Sequence, residues 1–204
     1  MNWLAHLFLS EPNVESRLGN IIADIVKGSN RQNLNSHIHR GIKCHQCVDA
    51  FTDAHFIVHR SKQRINPNYR RFAGILVDVF YDHFLAKNWF IYTNVPLEQF
   101  TQEIYESFQA YPGKLPLEVT QILTRIATED WLGSYRYVAG VETTLARISQ
   151  RLSRRAHSVI LTPAVTELTA HYKNLDNDFQ EFFPELVGYV QSLALSPHTI
   201  EDKK

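Results

Sequence analysis

With 204 residues, of which 44% are hydrophobic and 21% charged, the chain can bury a sizeable core in one domain and is unlike a disordered segment. Its 21 basic and 21 acidic residues balance, which argues against a protein that binds nucleic acid through overall positive charge. No apolar run approaches a membrane span and no basic-then-apolar leader opens the sequence, so a cytoplasmic protein without membrane association is expected.

Apolar periodicity predicts helices over residues 3–9, 14–27, 36–63, 69–90, 97–110, 116–129, 131–155, 161–173 and 178–194, with no strand pattern. Turn signals separate them at 28–30, 66–68, 93–96, 112–113 and 174–177. Residues 1–204 therefore read as a single all-α domain.

The first helix carries His6 opposite its stripe of Leu4, Leu7 and Phe8, where it could be a ligand, a phosphate contact or a structural hydrogen-bonder. The second has the stripe Leu18, Ile21, Ile22, Ile25 and Val26 and a Gly C-cap at Gly28, with Asp24 on its flank. In the third, Ile38, Ile42, Val48 and Phe56 form a stripe that His45 and Asp49 interrupt, and Asp53 lies one further turn along. Cys44 and Cys47 make a C-x-x-C inside that helix; a redox pair would open a helix after a strand, and structural zinc would need two more ligands, so ordinary reduced thiols are expected.

The fourth helix is the most unusual. Its segment from Val77 to Leu85 sets Asp78, Asp82 and His83 in an otherwise apolar run, with no Lys or Arg between Phe72 and Ala86. An all-round hydrophobic helix is buried, and Asp is rarely buried unless it is paired or binds a cation. Spacing of i, i+4 and i+5 lets the three converge. A single buried His or Asp is more often a satisfied core group or a cap than a ligand. Several on periodic helices without local cations reverse that preference, although distant Arg or Lys could still pair with them. Asp24, His45, Asp49, Asp78, Asp82 and His83 are thus the candidate ligands of a divalent cation, with His6 and Asp53 as additional candidates. Such an oxygen-rich set suits Mn²⁺, Mg²⁺ or Fe²⁺ better than zinc.

Two basic groups stand out. Arg60, Lys62, Arg64, Arg70 and Arg71 fall in an acid-free stretch joining the two candidate metal helices, while Arg147, Arg151, Arg154 and Arg155 share one later helix face. Such faces are often simply solvated; docking of an acidic partner is the alternative. Most aromatics belong to the core, and Trp131, Tyr135 and Tyr137 could line a cleft for an organic ligand.

Four motifs in register carry a family resemblance: Met1 to Leu7, Gly19 to Asp24, Gly41 to Asp49 with Thr52 and Asp53, and Asp78 to Leu85. Together they resemble the acyl carrier protein phosphodiesterases, over residues 1–90; beyond about residue 95 the match is in helical character only. The resemblance implies removal of the 4'-phosphopantetheine arm from holo-acyl carrier protein, a helical fold related to the HD phosphohydrolases, a preference for Mn²⁺, and an acidic protein partner for the arginines. The chain has no His-Asp dipeptide, only the reversed Asp82-His83, so HD ligand assignments do not transfer. In the expected chemistry, Asp49 or Asp82 takes a proton from water and His83 or His45 gives one to the leaving alkoxide. Two rivals are an HD-type hydrolase of a nucleotide or other small phosphoester, and a non-catalytic helical binding module whose acids are merely paired.

Overall fold

Asparagine side chains open the early helices. In the computed structural model, which describes residues 1–26, 28–31, 34–153 and 159–195, Asn2 accepts from the Trp3 N–H at 3.0 Å to start α1 (Trp3–Phe8). Asn13 likewise starts α2 (Val14–Ile22), and Asn35 starts α3 (Ser36–Ala54). The remaining α-helices are α4 (Phe56–Arg64), α5 (Ala73–Lys87), α6 (Trp89–Tyr92), α7 (Leu97–Gln109), α8 (Leu117–Thr128), α9 (Trp131–Ser134), α10 (Val138–Ser153), α11 (Val165–Ala170) and α12 (Tyr172–Leu195). Among the described residues there is no strand, so the fold is all-α, and no helix is long and apolar enough to cross a membrane.

Several boundaries differ from expectation. The predicted helix over 36–63 breaks at His55, whose backbone is extended and whose ring accepts from the Ile57 N–H at 3.3 Å. Phe56 consequently leaves the stripe and is 63% exposed. The predicted turn at 174–177 lies inside α12, because Leu175 is buried and Asp176 accepts a hydrogen bond from Asn88 at 2.7 Å. Tertiary partners there outweigh turn propensity. The second helix stops at Ile22 rather than continuing to residue 27; the Arg31 guanidinium binds the carbonyls of Ala23 and Val26, and Gly28 supplies the positive φ of 64° that the turn needs.

α5 is the central element. Its buried residues point in every direction, and α1, α4, α10 and α12 pack around it. α2 and α3 form the closest pair. A Cβ on Gly19 would stand 2.2 Å from the Ile38 carbonyl oxygen, and one on Gly41 2.2 Å from that of Ser16, so only glycine allows this approach. The contact brings the turn that follows α2, with Asp24, beside the middle of α3, with His45 and Asp49.

Much of the first basic stretch is used inside the fold. Asp178 on α12 is 1% exposed and accepts from Arg60, Arg64 and Ser61, each at 2.8 Å; Ser61 also meets the buried Tyr81 hydroxyl. Arg60 additionally pairs with Glu181, and Lys62 with Asp53 at 2.8 Å. Arg60, Lys62 and Arg64 thus join α4 to the rest of the bundle, whereas Arg70 and Arg71 stand exposed. Replacing Arg60 and Arg64 together by Ala leaves Asp178 buried without a cation. A loss of about 3 kcal/mol in urea unfolding is expected; a change below about 0.5 kcal/mol would mean that the network contributes nothing.

Candidate metal centre

His45 and Asp49 are one helical turn apart on α3, and the short helix α1 carries His6 against them. His6 and His45 stack with ring centroids 3.9 Å apart, and both are buried. Asp49 lies between them: one carboxylate oxygen is 3.1 Å from His6 Nε2, the other 3.1 Å from His45 Nε2. Their potential ligand atoms all fall within 4.8 Å of one another. Asp24, more than half exposed, approaches His45 Nε2 at 3.7 Å.

These contacts are close but poorly satisfied. Neither nitrogen of His45 has an aligned hydrogen bond, nor does His6 Nδ1, although all three atoms are buried. Buried polar atoms are nearly always partnered. His6 Nε2 also meets the Met1 carbonyl at 3.1 Å, so the unsatisfied nitrogens are those of His45 and the far one of His6. A cation as shared partner would satisfy the His45 imidazole, and two imidazoles with carboxylates suit a first-row divalent ion. Burial opposes charge on His45, but Asp24 and Asp49 prevail and push its pKa up to about 9. Burial leaves His6 at about 4 despite Asp49. Burial also works against the Asp49 carboxylate, yet the two histidines and the Met1 ammonium hold it well below the usual range.

α5 meets this centre only indirectly. Asp78 lies 3.1 Å from the Met1 ammonium, which is itself 3.6 Å from Asp49. That amino group is the counter-charge that the local sequence lacks. Asp82 accepts from the backbone N–H groups of Leu4 at 2.7 Å, Asn2 at 3.3 Å and Ala5 at 3.4 Å. The expected ligand is thus anchored as a cap on the first turn of α1, and through α1 it positions His6. Burial raises its pKa to about 7 against the pull of the ammonium and the three amides. His83, the other expected catalytic residue on α5, has both ring nitrogens engaged, with the Tyr135 carbonyl at 2.7 Å and the Tyr172 hydroxyl at 2.9 Å. The structure therefore brings together His6, His45, Asp49 and Asp24 and gives Asp82, His83 and Asp53 other partners.

The second basic group is similarly divided. Arg147 binds Glu129 at 3.0 Å and lies over the Trp131 ring; Arg151 borders a cleft with Asp24; Arg154 and Arg155 lie outside the described residues. Cys44 and Cys47 are free thiols, with Cys44 pushed by burial to about 11, away from nucleophilic reactivity.

The family profile described as acyl carrier protein phosphodiesterase matches residues 1–186. The chain belongs to the acyl carrier protein phosphodiesterase family. It is 30% identical to the acyl carrier protein phosphodiesterase of Escherichia coli O6:H1 over 196 residues, covering 96% of this chain and all of that protein. The enzyme of that name from Klebsiella pneumoniae subsp. pneumoniae is 29% identical over the same extent. No solved structure matches the chain. An acyl carrier protein phosphodiesterase must cleave a phosphoryl–oxygen bond, and the cluster of α1 and α3 offers it imidazole and carboxylate groups beside an open edge at Asp24.

Proposed function

We propose that His6, His45 and Asp49, flanked by Asp24, hold an exchangeable divalent cation, Mn²⁺ ahead of Mg²⁺ or Fe²⁺, and that the enzyme removes the 4'-phosphopantetheine arm from holo-acyl carrier protein. The observation that carries this reading is His45: a buried imidazole without an aligned hydrogen bond, with two carboxylates within 3.7 Å. Bound there, the cation supplies a Lewis acid that polarises the phosphoryl oxygens and offsets charge on the leaving alkoxide. Asp24, ionised and largely in solvent, takes a proton from the attacking water. Water adds to phosphorus, the bond to the serine oxygen breaks, and that oxygen takes a proton from solvent as Asp24 gives its own back to solvent; apo-carrier and 4'-phosphopantetheine result. Asp78 holds the Met1 ammonium beside Asp49, and Asp82 holds α1 in register. The family resemblance and the clustering of His and Asp among helices support an HD-like bundle. The buried core running from Met1 to Leu186 supports one domain over residues 1–204. A cytoplasmic setting, shared with the substrate protein, completes the proposal.

The test is mass spectrometry of holo-acyl carrier protein incubated with the protein and Mn²⁺. Loss of the arm, abolished by chelator and restored by the ion, is expected; intact holo-carrier would reject the reading.

Cation binding should depend on pH in a defined sense. A ligating imidazole must be neutral, and His45 in the metal-free protein keeps its proton up to about pH 9. Binding near neutrality therefore displaces a proton, so Mn²⁺ affinity should rise by up to about tenfold per pH unit from pH 6 and level off near pH 9. Calorimetric titration across that range measures it. A flat profile would remove His45 from the ligand set.

Docking of the acidic carrier falls in this reading to exposed Arg70 and Arg71 and to Arg151, since Arg60, Lys62, Arg64 and Arg147 have internal partners. Reversing Arg70 and Arg71 to Glu should raise KM for holo-carrier several-fold at low salt and less at high salt. A salt-independent loss in kcat would contradict docking there.

A further inference from the structure

A cleft of about 280 Å³ adjoins the candidate centre and shares Asp24 with it. Asn2, next to the Met1 ammonium, lines the same cleft, so one end of the cavity borders the groups that gather around Asp49. Its wall is aromatic. Trp3 and Trp131 stack at 5.5 Å, nearly parallel at 6°. Arg147 and Arg125 lie 4.1 and 5.3 Å from the centroid of the Trp131 ring. Trp131 is therefore already covered by another ring and two guanidinium groups, and it has little free face for an incoming base.

Polar groups are interspersed along the wall. Asn2 donates to the Tyr135 hydroxyl at 2.8 Å, and Thr144 and Gln150 also border the cavity. Arg147 binds Glu129 through Nη2, but its Nη1 is buried without a hydrogen-bond partner. Arg151 and Asp24 both line the cavity, so a cation and a carboxylate border it together. The volume is just below the range of about 300 to 1,000 Å³ usual for ligand clefts. The small volume, tryptophan edges and scattered hydrogen-bonding groups suit a slender amide-bearing chain.

We propose that this cleft receives the arm of the substrate: an extended amide-linked chain whose phosphate end lies by Asp24 and Arg151 and whose body runs along Trp3, Trp131 and Ile122. The inference rests on the diesterase reading above and adds the residues that give it specificity for the arm. Asn2, Thr144 and Arg147 Nη1 provide hydrogen bonds to its amide and hydroxyl groups, and the tryptophans exclude water from its methylenes.

The test fills the cleft from its rim. Ile122 is partly exposed and Gln150 exposed, so Ile122→Trp and Gln150→Trp add bulk without removing core. kcat/KM is measured for holo-acyl carrier protein and for bis(p-nitrophenyl) phosphate, which has no arm. Binding of pantetheine and of adenosine 5'-monophosphate to the metal-free full chain is measured by calorimetry. For both variants the ratio of the two kcat/KM values should fall about tenfold or more, the scale of a blocked pocket contact. Pantetheine should bind the wild type and neither variant. An unchanged ratio in both variants, or binding of the nucleotide in place of pantetheine, overturns the assignment of the cleft. Failure of the wild type to release the arm overturns the diesterase reading instead, while the pantetheine titration still decides what the cleft accepts.

Discussion

Asp49→Ala is expected to lower turnover of holo-acyl carrier protein by at least ~10²-fold while the protein stays folded. Its carboxylate is 3.1 Å from a nitrogen of each buried histidine and 3.6 Å from the Met1 ammonium, so its loss removes the group on which the cluster converges. With 41% of the side chain exposed, Asp49 contributes little to the core. Circular dichroism melting should shift by no more than a few degrees. Loss of activity without loss of fold is the signature of the proposed centre, and wild-type turnover in the variant at saturating Mn²⁺ would show that the chemistry lies elsewhere.

Asp82→Ala should fail in the opposite way. Asp82 is fully buried, and its carboxylate is the acceptor for N–H groups of Asn2, Leu4 and Ala5. Alanine leaves those donors without a partner at the start of α1. A stability loss of about 3 kcal/mol is expected from chemical denaturation, each buried unsatisfied donor costing about 1–3 kcal/mol. Turnover should fall with the folded fraction and recover in part on cooling. A stable but inactive Asp82→Ala protein would make Asp82 a direct participant and return it to the ligand set.

The contrast between these two aspartates marks how far the sequence could be read. Helix periodicity was legible because it depends on neighbouring residues. His45 and Asp49 were legible because a four-residue spacing sets both on one face that should have been apolar. Asp82 drew attention for the same reason, but its partners are backbone amides of α1, which carry no side-chain signal and lie about 80 positions away. Lys and Arg are the side chains expected to neutralise Asp78, and the cation that meets it is instead the Met1 amino group. His6 stayed open because a six-residue helix has too few positions to define its inner face. Arg60 and Arg64 looked like free charge until α12 brought Asp178 back against them across more than 110 residues. Trp131 and Tyr135 do line a cleft, whereas Tyr137 is 61% exposed.

The most direct measurement is an electron paramagnetic resonance titration of the metal-free protein with Mn²⁺, comparing wild type, His45→Gln and Asp49→Asn. The account predicts saturable loss of the free-ion signal with the wild type and little or none with either variant, both of which remain folded. Equal Mn²⁺ binding by all three folded proteins would contradict a cation centre built on His6, His45 and Asp49.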